Sequence, residues 1–385
     1  MQLPYSDELN IGYLSRLFDN TTNCYKFFWF QAILRKVDEN HQRFTFDELI
    51  DEMIIDAWYM VTEYHLRLGP LGITDNLEEV VKYIFRHYDL RSSEKEEKLR
   101  SFIQNSDDKI IRKYKSDLTL NVPYRLQVPF YDEITISKPL WNGSKQKLTD
   151  RINLQKRLMY YFTLVSGLGT VIEIDPVWAE YLVKHKEILK GWTQLKLIQY
   201  LQNKNPSVPG IADKIEPPTS RDIERVRKYW KLIVSVDPSL KDIYGETELA
   251  DAKISVDHFV PWQYVAHDEL WNLHPTTREI NSSKSNSLPA WEKYFGLLGD
   301  IEYRAYELRR INPSVSEEFE KIAPYHLNNQ EIKNRLYQNK NLDRTEFKNR
   351  LESVIKPVYD SAKNQGFKEW SYVNENNNLS QISTR

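Results

Sequence analysis

Apolar residues recur at three- and four-residue spacing through most of the first 115 positions, the period of helices that bury one face. The clearest case follows Thr45-Phe-Asp-Glu48, where Thr45 and Glu48 form a capping box. From there Phe46, Leu49, Met53, Ala57, Met60, Val61 and Tyr64 recur on one helical stripe. The carboxylates Glu48, Asp51, Glu52, Asp56 and Glu63 occupy the other side, which reads as a solvated face rather than a metal cluster. A charge-rich helical stretch runs from Ser92 to Asp117, with Lys109, Arg112, Lys113 and Lys115 near its end. Between about 118 and 150 the pattern breaks. Pro123, Pro129, Pro139 and Gly143 punctuate short runs such as Arg125-Leu-Gln-Val128 and Ile134-Thr-Ile136, which predict a few strands or extended loops. Helical spacing resumes near Asn153 and again at Val177-Trp-Ala-Glu-Tyr-Leu182. Ser166-Gly-Leu-Gly169 lacks the third glycine of a dinucleotide fingerprint and reads as a turn.

A Pro-rich stretch from Asn205 to Pro218 marks a boundary. Beyond it, Thr219-x-x-Asp222 opens a helix with Ile223, Val226, Trp230 and Ile233 on one face. Ile254 and Val256 then alternate with polar neighbours, as in a half-buried strand, and Pro261 ends ladder pairing by removing a donor. A second short strand follows. Thr276-x-x-Glu279 is a capping box for a helix that Pro289 stops, with Asn281, Lys284 and Ser285 on one face. Residues 290–372 return to helical periodicity, and the last dozen, including Asn374-Glu-Asn-Asn-Asn378, read as a disordered tail. The expected organisation is an N-terminal helical domain (1–117), a mixed middle region with a Pro-rich linker (118–218), a strand–strand–helix module (219–300), a C-terminal helical region (301–372) and a tail (373–385). The fold class is mainly α with that small module embedded.

Composition narrows the partners. Hydrophobic residues make up 41% of the 385 positions, ample for packed cores, so widespread disorder is excluded. The lone cysteine, Cys24, excludes an internal disulfide or a Cys-rich zinc site and fits a reducing compartment. No signal-peptide pattern and no run of about 20 apolar residues is present, so a cytoplasmic protein without a membrane partner is expected. The net charge is −2, and within residues 251–300 four basic residues face seven acidic ones. Any attraction to phosphate must come from a local patch, a bound ion or a partner.

The candidate chemistry lies in Ile254-Ser-Val-Asp-His-Phe-Val-Pro261, Leu270-Trp-Asn-Leu-His-Pro275 and Thr276-Thr-Arg-Glu-Ile-Asn-Ser-Ser-Lys-Ser-Asn-Ser-Leu-Pro289. This arrangement resembles the HNH endonuclease family with its ββα-metal fold, most nearly the HNH domain of type II CRISPR effectors. The shared pattern is Asp-His-x-x-Pro, a central Asn, then Asn-x-x-Lys-Ser ahead of a Pro. Here those positions are Asp257, His258, Pro261, Asn272, Asn281, Lys284, Ser285 and Pro289, and the likeness covers roughly residues 229–289.

The resemblance implies His258 as general base, Asp257 and Asn281 as ligands of one divalent cation, and Asn272 as the residue that fixes the loop and orients the His258 ring. It places Lys284 against the backbone phosphate. Oxygen ligands suit Mg²⁺, with Mn²⁺ as an alternative. Many relatives hold this module with two Cys-x-x-Cys pairs and a zinc ion; here the upstream position reads Asp242-Ile-Tyr-Gly-Glu246, so no structural zinc is expected and packing by Trp262, Tyr264 and Trp271 must hold it. The implied reaction is hydrolysis of DNA, in anti-phage defence or restriction. The alternatives are RNA cleavage and a catalytically silent interaction module. Cutting both strands calls for a homodimer, and a partner ATPase or sensor would suit the weak intrinsic charge. His267 and His274 are expected at the surface or on the second strand, and Arg221, Arg225 and Lys228 form a candidate phosphate-tracking ridge.

Overall fold

The computed structural model describes residues 2–131, 136–216, 223–245, 247–249, 253–338 and 341–372. The predicted run at Ile134-Thr135, the helix start at Thr219 to Asp222 and the tail from 373 lie outside them. The chain divides into two compact units: Met1–Pro206 with Ile215–Pro217, and Ser207–Lys214 with 218–385. The protein is mainly helical, with few short strands. Among the described residues no helix is long and apolar enough to cross a membrane.

The first unit is built around a helix whose start the sequence specifies. After α1 (Tyr25–Lys36) and β1 (Arg43–Thr45), helix α2 (Phe46–Thr62) opens on the predicted capping box, with both Thr45–Glu48 bonds formed. Helices α3 (Asn76–His87), α4 (Glu96–Gln104) and α5 (Lys109–Leu118) pack around α2, so its acidic stripe is not solvated as expected. Asp51 and Glu52 are buried. A buried carboxylate needs a charge partner, and the neighbouring helices supply them. Lys115 Nζ lies 2.6 Å from Asp51, Arg100 grips Glu52 through two bonds of 2.8 and 3.0 Å, and Arg35 pairs with Asp56. Burial nevertheless pushes Asp51 up to about 6 and Asp56 to about 7, against the pull of Lys115 and Arg35.

The strands expected near 125–128 are instead helical turns at Val122–Arg125 and Val128–Phe130, followed by another at Lys138–Asn142. Pro123, Pro129 and Pro139 each sit in the first positions of one of these turns, where a missing N–H leaves nothing unpaired. The strands come later, as β2 (Tyr160–Leu164) and β3 (Val171–Ile174), in an antiparallel sheet of order β1–β3–β2. Gly167–Gly169 makes the turn between β2 and β3, as read from the sequence. Helices α6 (Pro176–Lys184) and α7 (Lys186–Lys204) follow.

The second unit begins its regular structure with α8 (Glu224–Val236), whose Val226, Trp230 and Ile233 are buried as predicted. Strands β4 (Ile254–His258) and β5 (Leu273–Thr277) form an antiparallel hairpin, and α9 (Arg278–Lys284) packs across it. The helix start differs by one residue from the expected capping box. Thr277 is the cap, accepting from Ile280 N at 3.3 Å, because the Thr276 hydroxyl is engaged by Asp242 inside the strand. Nor does Pro289 end the helix. It ends at Lys284, where Ser285 takes φ +50°, and Pro289 lies in β6 (Leu288–Pro289), paired in parallel with β7 (Glu369–Trp370). Ser285 therefore leaves the helical face that Asn281 and Lys284 share. Helices α10 (Trp291–Ile311), α11 (Pro313–His326) and α12 (Arg344–Asn364) complete the unit.

Candidate active site

The site grows from the hairpin register. Asp257 stands opposite His274 and His258 opposite Leu273, so the first pair presents both side chains on one face. His274 is fully buried, with Nε2 3.5 Å from Asp257 Oδ2 and 3.0 Å from the Tyr244 hydroxyl. Tyr244 donates to the same Oδ2 at 2.8 Å, and Lys284 Nζ reaches Oδ1 at 3.2 Å and Oδ2 at 3.1 Å. Burial alone would raise the Asp257 carboxyl. The Lys284 ammonium, His274 and Tyr244 outweigh it and hold the group well below the usual carboxylate range. Lys284, itself fully buried, is lowered by burial, with Asp257 opposing.

This location corrects the expectation for Lys284. It does not face out toward a phosphate. Its ammonium bridges Asp257 and the carbonyl oxygen of His258, the latter at 2.8 Å. Asn281, one helical turn back, donates through Nδ2 to Ser255 Oγ at 2.9 Å and Val256 O at 3.1 Å. Helix α9 is thus bolted to β4 by the two residues that face it, and Asp257, Asn281 and Lys284 share one side of the hairpin.

His258, the last residue of β4, takes a separate partner. Its Nε2 lies 2.8 Å from Asp268 Oδ1, on the loop between the strands. Asn272 is fully buried and fixes that loop, accepting from Val260 N at 2.7 Å and donating to Val260 O at 2.8 Å. The loop-fixing expectation for Asn272 thus matches its bonds, whereas the side chain bonded to His258 Nε2 is that of Asp268. The loop is also held from outside: His326 Nδ1 lies 2.7 Å from Asp268 O, and Asn328 donates twice to Glu269 Oε1, at 3.0 Å from its backbone and 2.7 Å from its side chain.

Upstream, Asp242 stands where relatives are expected to carry a cysteine. It accepts from Tyr244 N at 2.6 Å, from Gly245 N at 3.0 Å and from the Thr276 hydroxyl, tying the turn to β5. Gly245 sits close to its neighbours there, since a Cβ would meet Ile280 Cδ1 at 3.0 Å and the Tyr372 ring at 3.1 Å and push both side chains aside. Trp262, Tyr264 and Trp271 are buried as expected. His267 lies half-buried in the loop, its imidazole lowered by burial.

A family model described as HNH endonuclease matches residues 241–290. The hairpin with its packed helix is an HNH endonuclease domain. The HNH match is confined to this module, and no curated protein or solved structure matches the chain. A nuclease domain of this family implies a nucleic acid as substrate.

The donors present fit a hard divalent ion. Asp257 is held ionised, and Asn281 has spent its nitrogen on β4, leaving an amide oxygen as its donor atom. Among the described residues no group of three or more His, Cys, Asp or Glu side chains is placed to hold a metal. Such an ion would therefore draw its remaining ligands from water and phosphate. The ammonium of Lys284 beside Asp257 opposes it, so weak binding is expected.

Of the proposed ridge, Arg221 lies outside the described residues. Arg225 and Lys228 are exposed on α8, with the Arg225 guanidinium 3.9 Å from the Tyr325 ring centroid. Sequence reading missed Tyr244 and Asp268; it expected His274 at the surface or on the second strand, where it lies, but not its contact with Asp257. The signal for His274 was available: once Asn272 fixes the loop, counting back along the hairpin sets His274 against Asp257.

Proposed function

We propose that this protein is a metal-dependent endonuclease that hydrolyses DNA phosphodiester bonds, with His258 as general base. The observation that carries the reading is the pairing of two devices at the end of β4: a buried carboxylate held ionised at Asp257 and, next to it, an imidazole held by a carboxylate at His258. A divalent cation, Mg²⁺ or Mn²⁺, bound by Asp257 and Asn281 would stabilise charge on the phosphate and the departing 3′ oxygen. His258 takes the proton of the attacking water, a task suited to an imidazole at neutral pH. Lys284 keeps Asp257 charged and in place, and Asn272 keeps the loop after His258 from collapsing. The products are a 5′ phosphate and a 3′ hydroxyl.

A single ββα unit cuts one strand, so double-strand cleavage calls for two copies. The net negative charge of residues 251–300 suits delivery by a dimer or a partner ATPase or sensor, as in a restriction or anti-phage defence nuclease held quiet until needed. Nicking of supercoiled plasmid tests the reading. Wild type with Mg²⁺ or Mn²⁺ is expected to nick, while His258→Ala or EDTA abolishes it. Cleavage by His258→Ala at the wild-type rate overturns His258 as the base. A matched RNA substrate cut faster than DNA reassigns the substrate.

A further inference from the structure

At Nε2, His258 meets a residue that its sequence motif does not include. Its Nε2 meets Asp268 Oδ1 at 2.8 Å, and Asp268 sits on the loop Ala266–Glu269, before the 3-10 turn that ends at Asn272. That loop is also held from outside. The carbonyl of Asp268 is bound by His326 Nδ1 at 2.7 Å, from the last residue of α11, and the carboxylate of Glu269 is bound by the backbone and side chain of Asn328. A carboxylate has no hydrogen to give when ionised, so at Nε2 it accepts the ring N–H. The proton then resides on Nε2 and the lone pair on Nδ1.

We infer that Asp268 is a positioning residue for the nuclease reaction, fixing the His258 ring in the Nε2–H tautomer so that Nδ1 is the nitrogen that receives the proton of water, and that the end of α11 holds Asp268 in place for this task. The inference rests on His258 being the general base and adds which nitrogen acts and what aims it. It also gives the C-terminal helices a task in the reaction: His326 and Asn328 brace the loop from which the ring is aimed. A carboxylate that orients and polarises an imidazole in this way is a recurring solution where a histidine must act as a base.

Asp268→Asn and Asp268→Ala separate this role from a structural one. Asparagine keeps the shape but can donate as well as accept, so it releases the ring to the opposite tautomer. If Asp268 only filled space, Asn would behave as wild type. The expected result is a fall in kcat of about 10- to 100-fold for both variants, with KM and the melting temperature near wild type. The ring ¹⁵N shifts of His258 in the full chain supply a second readout that needs no turnover: Nε2–H in wild type, and an Nδ1–H population in Asp268→Asn. Wild-type kcat in Asp268→Asn, with His258→Ala inactive, overturns the inference and leaves the base assignment standing. Activity in His258→Ala removes the base assignment itself. An Nδ1–H ring in wild type overturns the inference whether or not the enzyme turns over.

Discussion

At the scale of single residues, Lys284 separates motif from geometry. Spacing put it on the face it occupies, but not at the depth. A lysine aimed at a phosphate stands in water until substrate arrives, whereas this one is fully buried against Asp257. Removing one partner of a buried pair leaves the other charge stranded, so Lys284→Met is expected to destabilise the second unit by about 3–5 kcal/mol. Denaturant unfolding of the full chain measures it, and an unchanged midpoint with weakened DNA binding would return Lys284 to the phosphate role. Asp257, Asn272, Asn281 and Lys284 were legible as candidates through the resemblance of their motif to the HNH family. Asp268 and Tyr244 were not, since their partners are set by how a loop and a turn fold back, which periodicity does not encode. The acidic stripe of α2 failed for a related reason: spacing locates a polar face, but only the packing of α1, α4 and α5 decides whether water or a cationic side chain meets it.

At the scale of elements, the hairpin, its loop and α9 are held together without cysteines. The turn at Asp242 makes the connection, since one carboxylate caps two backbone N–H groups and receives the Thr276 hydroxyl. Charge-assisted bonds of this kind contribute more than neutral ones, and Asp242→Ala is expected to destabilise the module by about 3 kcal/mol, read as faster hydrogen exchange in 242–245 and 273–277. A chelator strong enough to strip zinc should leave the unfolding midpoint where it was; a fall in the midpoint would reveal a metal clip. The prolines teach the converse lesson. Pro123, Pro129 and Pro139 look like strand punctuation because a proline ends both strands and helices, yet each begins a helical turn. Sequence alone weighs these outcomes equally, and the buried contacts of Val122, Tyr124 and Phe130 tip the balance.

At the scale of the whole molecule, charge constrains how a nuclease of net charge −2 meets DNA. Of the four basic residues within 251–300, Lys284 is internally committed, which leaves Lys253, Arg278 and Lys293 exposed among a larger number of carboxylates. Outside that stretch, α8 offers Arg225 and Lys228 on a helix whose opposite face is anchored to the hairpin by the Trp230 Nε1 bond to Leu273 O, 3.1 Å long. If these carry the phosphate contacts, few counterions are released on binding. The logarithm of the binding constant should then fall with the logarithm of salt with a slope no steeper than about −3. Arg225→Ala with Lys228→Ala should flatten that slope by about 1 to 2 and weaken binding evenly across sequences, because phosphate contacts position without reading bases. Fluorescence anisotropy on a labelled duplex between low and moderate salt measures both. A slope unchanged by the double substitution would take the ridge out of the DNA path and leave delivery to a second copy or a partner as the means by which this site reaches its substrate.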